Sequence, residues 1–118
     1  MSDSRQGRGV RTMKNEMYES NLKDLKEERS LSVEDKKIAI KYKHYPNIVG
    51  PRSEYHGVPI WVGKTEAEAF IEGKTVATAE ARCWLYEPFS YSQARVVVTG
   101  RLLKKIHLPT KLAEQVKE

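Results

Sequence analysis

The side chains with the most chemistry in this chain are three histidines, His44, His56 and His107, and one cysteine, Cys83. They would suffice for one zinc ion, but no two share a C-x₂-C or H-x₃-H type of spacing that would bring them onto one metal. His44 beside Tyr45 and His56 beside Tyr55 flank a Pro/Gly-rich loop, where exposed histidines are expected. Cys83 falls in an alternating row of small apolar residues and reads as a packing residue rather than a nucleophile. A Ser-His-acid relay would draw on Ser53, Ser90 or Ser92 with Glu54, Glu80 or Glu87, and no nucleophile elbow supports one. Gly63-Lys64-Thr65 could close a phosphate loop, but the Gly required five residues before Gly63 is Val58. The intervening apolar VPIWV is also unlike a loop that wraps its amides around phosphate.

The carboxylates exclude more. All three aspartates, Asp3, Asp24 and Asp35, precede the main predicted sheet, so that region has glutamates alone. Two-metal phosphoryl transfer needs clustered carboxylates around Mg²⁺, and no such cluster can be drawn. The chain is therefore expected to be non-enzymatic, with no metal and no cofactor implied.

Binding remains, and two sets of residues could carry it. WLYEPFSY gathers aromatics around a turn with arginines at hand, the residue types that dominate protein-protein hot spots. Its candidates are Arg82, Trp84, Tyr86, Phe89, Tyr91 and Arg95. The second set is basic: Lys37, Lys41, Lys43, Tyr45 and Arg52 around one strand, with Arg101, Lys104 and Lys105 near the C-terminus. Cations that neutralise phosphates beside aromatics that stack on bases would suit RNA or single-stranded DNA. No GxxG loop, RNP1 stretch or Cys/His finger accompanies them. Lysines on a strand also serve simply as a solvated face or as protection of a sheet edge.

These residues must be positioned by a small fold. The chain has 118 residues and a mass of 13.6 kDa, enough for one domain. Its formal charge is +5, yet residues 1–34 hold seven basic and seven acidic groups, so the whole excess falls on 35–118. There is no run of about 18 apolar residues and no apolar segment near Met1, and one cysteine allows no internal disulfide. A cytoplasmic protein without membrane association is expected.

Residues 1–12, with Gly7 and Gly9 among Ser, Arg and Gln, predict a flexible arm. The stripe of Tyr18, Leu22 and Leu25 at i, i+4, i+7 predicts an amphipathic N-terminal helix, Met13 to Arg29, within a unit of residues 13–34. A single α+β domain over 35–118 follows. In it KIAIKYKHY alternates, with Ile38, Ile40 and Tyr42 on one face and Lys37, Ala39, Lys41 and Lys43 on the other. A Pro/Gly loop leads to the short strand VPIWV, with Pro59 at an edge. Thr65 and Glu68 have capping-box spacing, predicting a helix to about Glu72 that stops at Gly73. TVATAEARCWLY alternates and predicts a long strand, and ARVVVTGRLLKKIHL a further strand with a bend at Gly100. Pro109 opens a closing helix bearing Leu112 and Val116.

The expected architecture is α+β, a small mainly antiparallel sheet of about four strands with flanking helices in the order α-β-β-α-β-β-α. The expected function is a small non-enzymatic regulatory protein acting through protein-protein contacts. It would be a modulator or inhibitor of a larger host macromolecule, of the kind phage and compact microbial genomes encode. The N-terminal helix would be a second contact or a homodimer element. The alternative is an RNA or single-stranded DNA binder using the basic-aromatic strand.

Overall fold

A computed structural model describes residues 21–54 and 56–118. Four strands form one antiparallel sheet in sequence order: β1 (Leu25–Val33), β2 (Lys36–Val49), β3 (Trp61–Ile71) and β4 (Lys74–Trp84). An α-helix, α1 (Tyr91–Lys105), and a 3₁₀ segment (Thr110–Val116) follow. The class is the expected α+β with an antiparallel sheet of four strands, but the two helical elements of the described residues come after the strands rather than between them.

Alternation in β2 runs as expected and continues one step further: Ile38, Ile40, Tyr42 and His44 are buried, while Lys37, Lys41 and Lys43 are exposed. β4 also follows the expected pattern, with Ala77, Ala79, Ala81 and Cys83 beneath the sheet and Thr78, Glu80, Arg82 and Trp84 above it. A two-residue turn at Glu72-Gly73 joins β3 to β4, both residues at positive φ (53° and 79°), the geometry that matches the twist of a tight hairpin. Pro59 lies in the β2–β3 connection, bridged to Arg52, rather than within an edge strand.

Three expected elements are corrected. The helix proposed from Met13 to Arg29 is strand from Leu25 onward; its earlier residues to Ser20, like the expected arm over 1–12, lie outside the described residues. Glu27, Arg29, Leu31 and Val33 point beneath the sheet, and the first two hide the alternation because they are charged: Glu27 is held in ion pairs with little exposure, and Arg29 pairs with it while staying partly exposed. The helix expected from Thr65 to Glu72 is β3, with Thr65, Ala67 and Ala69 buried. Pairing with β2 and β4 on both sides overrides the helix preference of its alanines.

The strand expected from Ala94 to Leu108 is largely α1. Its buried residues, Arg95, Val98, Thr99, Leu102 and Leu103, recur at i, i+3, i+4, i+7, i+8, so Gly100 marks no bulge. Ser90 caps this helix by accepting from the Gln93 amide, and Lys104 and Lys105 sit in its last turn, where the helix dipole favours cations. The closing element is 3₁₀ and begins after Pro109, which acts as its N-cap residue.

All helical structure among the described residues packs on one face. α1 lies beneath β3 and β4, and the 3₁₀ segment beneath β1 and against α1. Leu31, Ile38, Ile40, Tyr42, Ala67, Ala69 and Ala81 from the sheet meet Val98, Leu102, Leu103, Ala113 and Val116 in the core. The opposite face of the sheet has no layer over it among the described residues, and part of each edge is capped by side chains. Arg101 and Lys105 donate to the Glu80 and Thr78 carbonyls of β4, and the Gln115 amide pairs with both backbone groups of Ser32 on β1. Blocked edges of this kind resist strand addition.

Candidate functional site

The open face has an aromatic end and a charged middle. Register sets Trp61 opposite Trp84, and Lys64 between Tyr45 and Arg82. The Arg82 guanidinium lies 5.1 Å from the Trp61 ring and 2.7 Å from Glu80, while the Lys64 ammonium stands 6.0 Å over Tyr45. Trp84 and Tyr86 meet edge to face at 6.1 Å. They stay 52% and 73% exposed, large values for residues that could bury this much surface. Trp61 is seated on Gly50, where even a Cβ would come within 2.4 Å of its ring.

Of the expected protein-binding residues, Arg82, Trp84 and Tyr86 therefore converge. Phe89, Tyr91 and Arg95 do not join them: they lie under the sheet because 91–105 is helix rather than strand. Phe89 and Tyr91 pack edge-on against the buried His44 ring at 6.1 and 5.1 Å, and Arg95 is 6% exposed. Trp61, expected only as a stacking candidate for nucleic acid and not in the protein-binding set, joins Arg82, Trp84 and Tyr86; its place beside Trp84 follows from the β3–β4 register, which composition does not reveal.

The basic set is dispersed. Lys37, Lys41, Lys43 and Tyr45 share the open face of β2, but Lys41 stands between Glu68 and Glu28, and Lys43 between Glu66 and Lys26. Arg101 and Lys105 cap the β4 edge, Arg52 bonds the Gly57 carbonyl in the β2–β3 connection, and Lys104 is exposed on α1. A groove across β2–β4 presents Lys41, Lys43 and Lys105 with Glu66, Glu68 and Glu80, so its formal charge cancels. Phosphate recognition needs a net positive track, whereas protein surfaces recognise each other with interspersed charges.

Beneath the sheet lies a polar cluster that the sequence did not suggest. His44 and Thr65, both 0% exposed, are joined by a 2.8 Å hydrogen bond at Nδ1, and His44 Nε2 lies 2.7 Å from the Glu27 carboxylate. Because the ionised carboxylate can only accept, Nε2 carries the proton and Nδ1 accepts from the Thr65 hydroxyl. Arg95 donates to the same Glu27 oxygen at 2.7 Å, and to the Val116 and Lys117 carbonyls at 2.9 and 2.8 Å. Arg29 approaches the other Glu27 oxygen at 3.0 Å.

Burial raises the Glu27 pKa, but the Arg95 and His44 hydrogen bonds and the two arginine charges outweigh it and hold the carboxyl below its ordinary value. Burial lowers the His44 pKa, against the pull of Glu27. Tyr42, buried and bonded to Thr99 at 2.6 Å, is pushed up to about 12 by burial. Hydroxyl, imidazole and carboxylate stand in the order of a nucleophilic relay, but neither Thr65 nor His44 exposes surface to solvent, although Thr65 lines the cleft between β4 and α1. The cluster instead ties β1, β2, β3, α1 and the C-terminal segment together. Continuation of the Ile38-Ile40-Tyr42 row to His44 was the available sign that this histidine is buried rather than an exposed loop residue.

Comparison with protein-family models, curated proteins and solved structures finds no match to this chain. Among the described residues, no three His, Cys, Asp or Glu side chains form a group that could hold a metal, and no helix is long and apolar enough to cross a membrane.

Proposed function

We propose that this chain is a non-enzymatic binding module that engages a protein partner through the open face of its sheet, acting as a regulator or inhibitor of that partner. The observation that carries this reading is the exposure of Trp84 and Tyr86 beside Trp61 and Arg82 on a face that has no helical layer among the described residues. Together they leave roughly 250 Å² of aromatic surface in water; burying it supplies about 6 kcal/mol before the costs of association, enough for a hot spot. Trp61 and Arg82 need little ordering on binding, since each is already held by the other and by Gly50 or Glu80. The balanced groove beside them favours a protein surface of mixed charge over a polyanion.

The test is affinity capture from cell extract with wild-type chain, Trp84→Ala and Tyr86→Ala. The reading expects a discrete protein retained by wild type and lost from both variants at unchanged far-UV circular dichroism. Retention by the variants overturns it. Binding of single-stranded oligonucleotides that weakens steeply and linearly on a log-log salt plot would favour the nucleic-acid alternative instead.

A further inference from the structure

We infer that a cleft of about 200 Å³ between the end of β4 and the first two turns of α1 is a binding site for a small, neutral aromatic molecule. This site lies beneath the sheet, meets the open-face cluster only at Arg82, and does not depend on the partner reading.

The cleft exists because of side-chain size. Packed layers stand roughly 10 Å apart, and large side chains must fill the space between them. Further along the helix Leu102 and Leu103 do so. Near the α1 N-terminus the facing residues are Ala81 and Cys83 from β4 and Ala94 and Val97 from α1, which leave room for a ring. An apolar cavity of about 150 Å³ is large enough to take benzene. The end wall is Phe89, held rigidly: its ring occupies the place a Cβ on Gly63 would need, 2.6 Å away, and packs edge-on to Tyr91 at 5.7 Å. A preformed wall saves ordering cost on binding.

Charge selects a neutral ligand. Arg82 also lines the cleft, but its guanidinium is already held by Glu80 and the Trp61 ring, so it leaves no unpaired cation for an anion that Glu87 at the rim repels. Burial, and then Glu87, keep the Cys83 thiol pKa raised. The protonated sulfur is then a soft wall suited to an aromatic edge. A cation is disfavoured by the positive end of α1, whose first turn has no acidic residue. Ser90 and Gln93 line the same rim, and the Gln93 amide both donates and accepts. The chemistry recognised is therefore a six-membered or fused ring with one uncharged hydrogen-bonding substituent.

The experiment titrates the full ¹⁵N-labelled chain with phenol, benzoate and benzylammonium. Expected are phenol-induced amide shifts at Ala81, Phe89, Gln93 and Val97 with a Kd of roughly 1 mM, and at least tenfold weaker binding of both charged analogues. Saturating phenol should also slow iodoacetamide alkylation of Cys83 severalfold. Ala94→Leu fills the cleft and should abolish these shifts in a chain that still melts cooperatively; Val97→Phe serves if that variant does not fold. Absence of shifts at these residues at about 20 mM phenol, equal binding of benzoate, or shifts surviving in the filled variant would overturn the assignment.

Discussion

Replacing Arg95 by Met tests whether the buried cluster organises the fold. Arg95 makes three hydrogen bonds of 2.7–2.9 Å, one to the Glu27 carboxylate and two to the Val116 and Lys117 carbonyls. Methionine keeps the apolar stem and removes all three. Glu27 retains His44 and Arg29, but loses the cation that shares its inner oxygen, and removal of one partner from a buried pair costs about 3–5 kcal/mol. That is a large part of a stability that commonly totals about 5–15 kcal/mol. With a urea m-value of roughly 1.5 kcal/mol/M, a loss of about 4 kcal/mol lowers the midpoint by about 2.5 M.

Equilibrium urea unfolding followed by circular dichroism reads this directly. The companion Glu27→Gln removes the charge that Arg95 compensates, so the double variant should cost about 1–3 kcal/mol less than the two singles added. A loss below about 1 kcal/mol for Arg95→Met, or strict additivity, would refute the view that Arg95 and Glu27 act as a buried pair.

Acid sensitivity follows from the same cluster. His44 is held neutral with its pKa below the unfolded 6.5, so the unfolded chain binds the extra proton. Stability should be complete above about pH 6.5 and fall as the pH drops toward the folded value, with Glu27 adding a further loss only below about 4.5. Melting temperatures between pH 7 and 5 should therefore decline in wild type and stay flat in His44→Gln; equal slopes would contradict the assignment. Gly63, at φ +100° with its missing Cβ 2.6 Å from Phe89, should tolerate no side chain. Gly63→Ala is expected to cost about 1–3 kcal/mol and to alter the near-UV aromatic spectrum, and an unchanged spectrum would count against that packing.

The parts of the fold that were legible in the sequence are those where side-chain type and burial agree. β2 and β4 alternate cleanly because their inward residues are aliphatic or small and their outward residues charged. β1 was obscured because its inward positions include Glu27 and Arg29, whose placement depends on partners 68 and 89 residues away as well as on His44. β3 was obscured by alanine, a helix former that also packs tightly under a sheet. α1 was obscured by Val96-Val97-Val98-Thr99, a β-branched run; the Ser90–Gln93 capping box in front of it was the stronger sign. Arg82 and Trp84 share a face because they alternate on β4, with Tyr86 in the turn just after it, whereas the place of Trp61 required the cross-strand register and that of Arg95 required knowing that its segment is helical.

The most direct measurement of the binding role is photo-crosslinking from benzoylphenylalanine placed at Tyr86 on the aromatic end and, as a control, at Lys111 on the helical side. The account predicts a discrete protein adduct from position 86 that is absent from position 111 and is suppressed by Trp84→Ala. Equal adducts from both positions, or crosslinking from position 86 to nucleic acid alone, would contradict it.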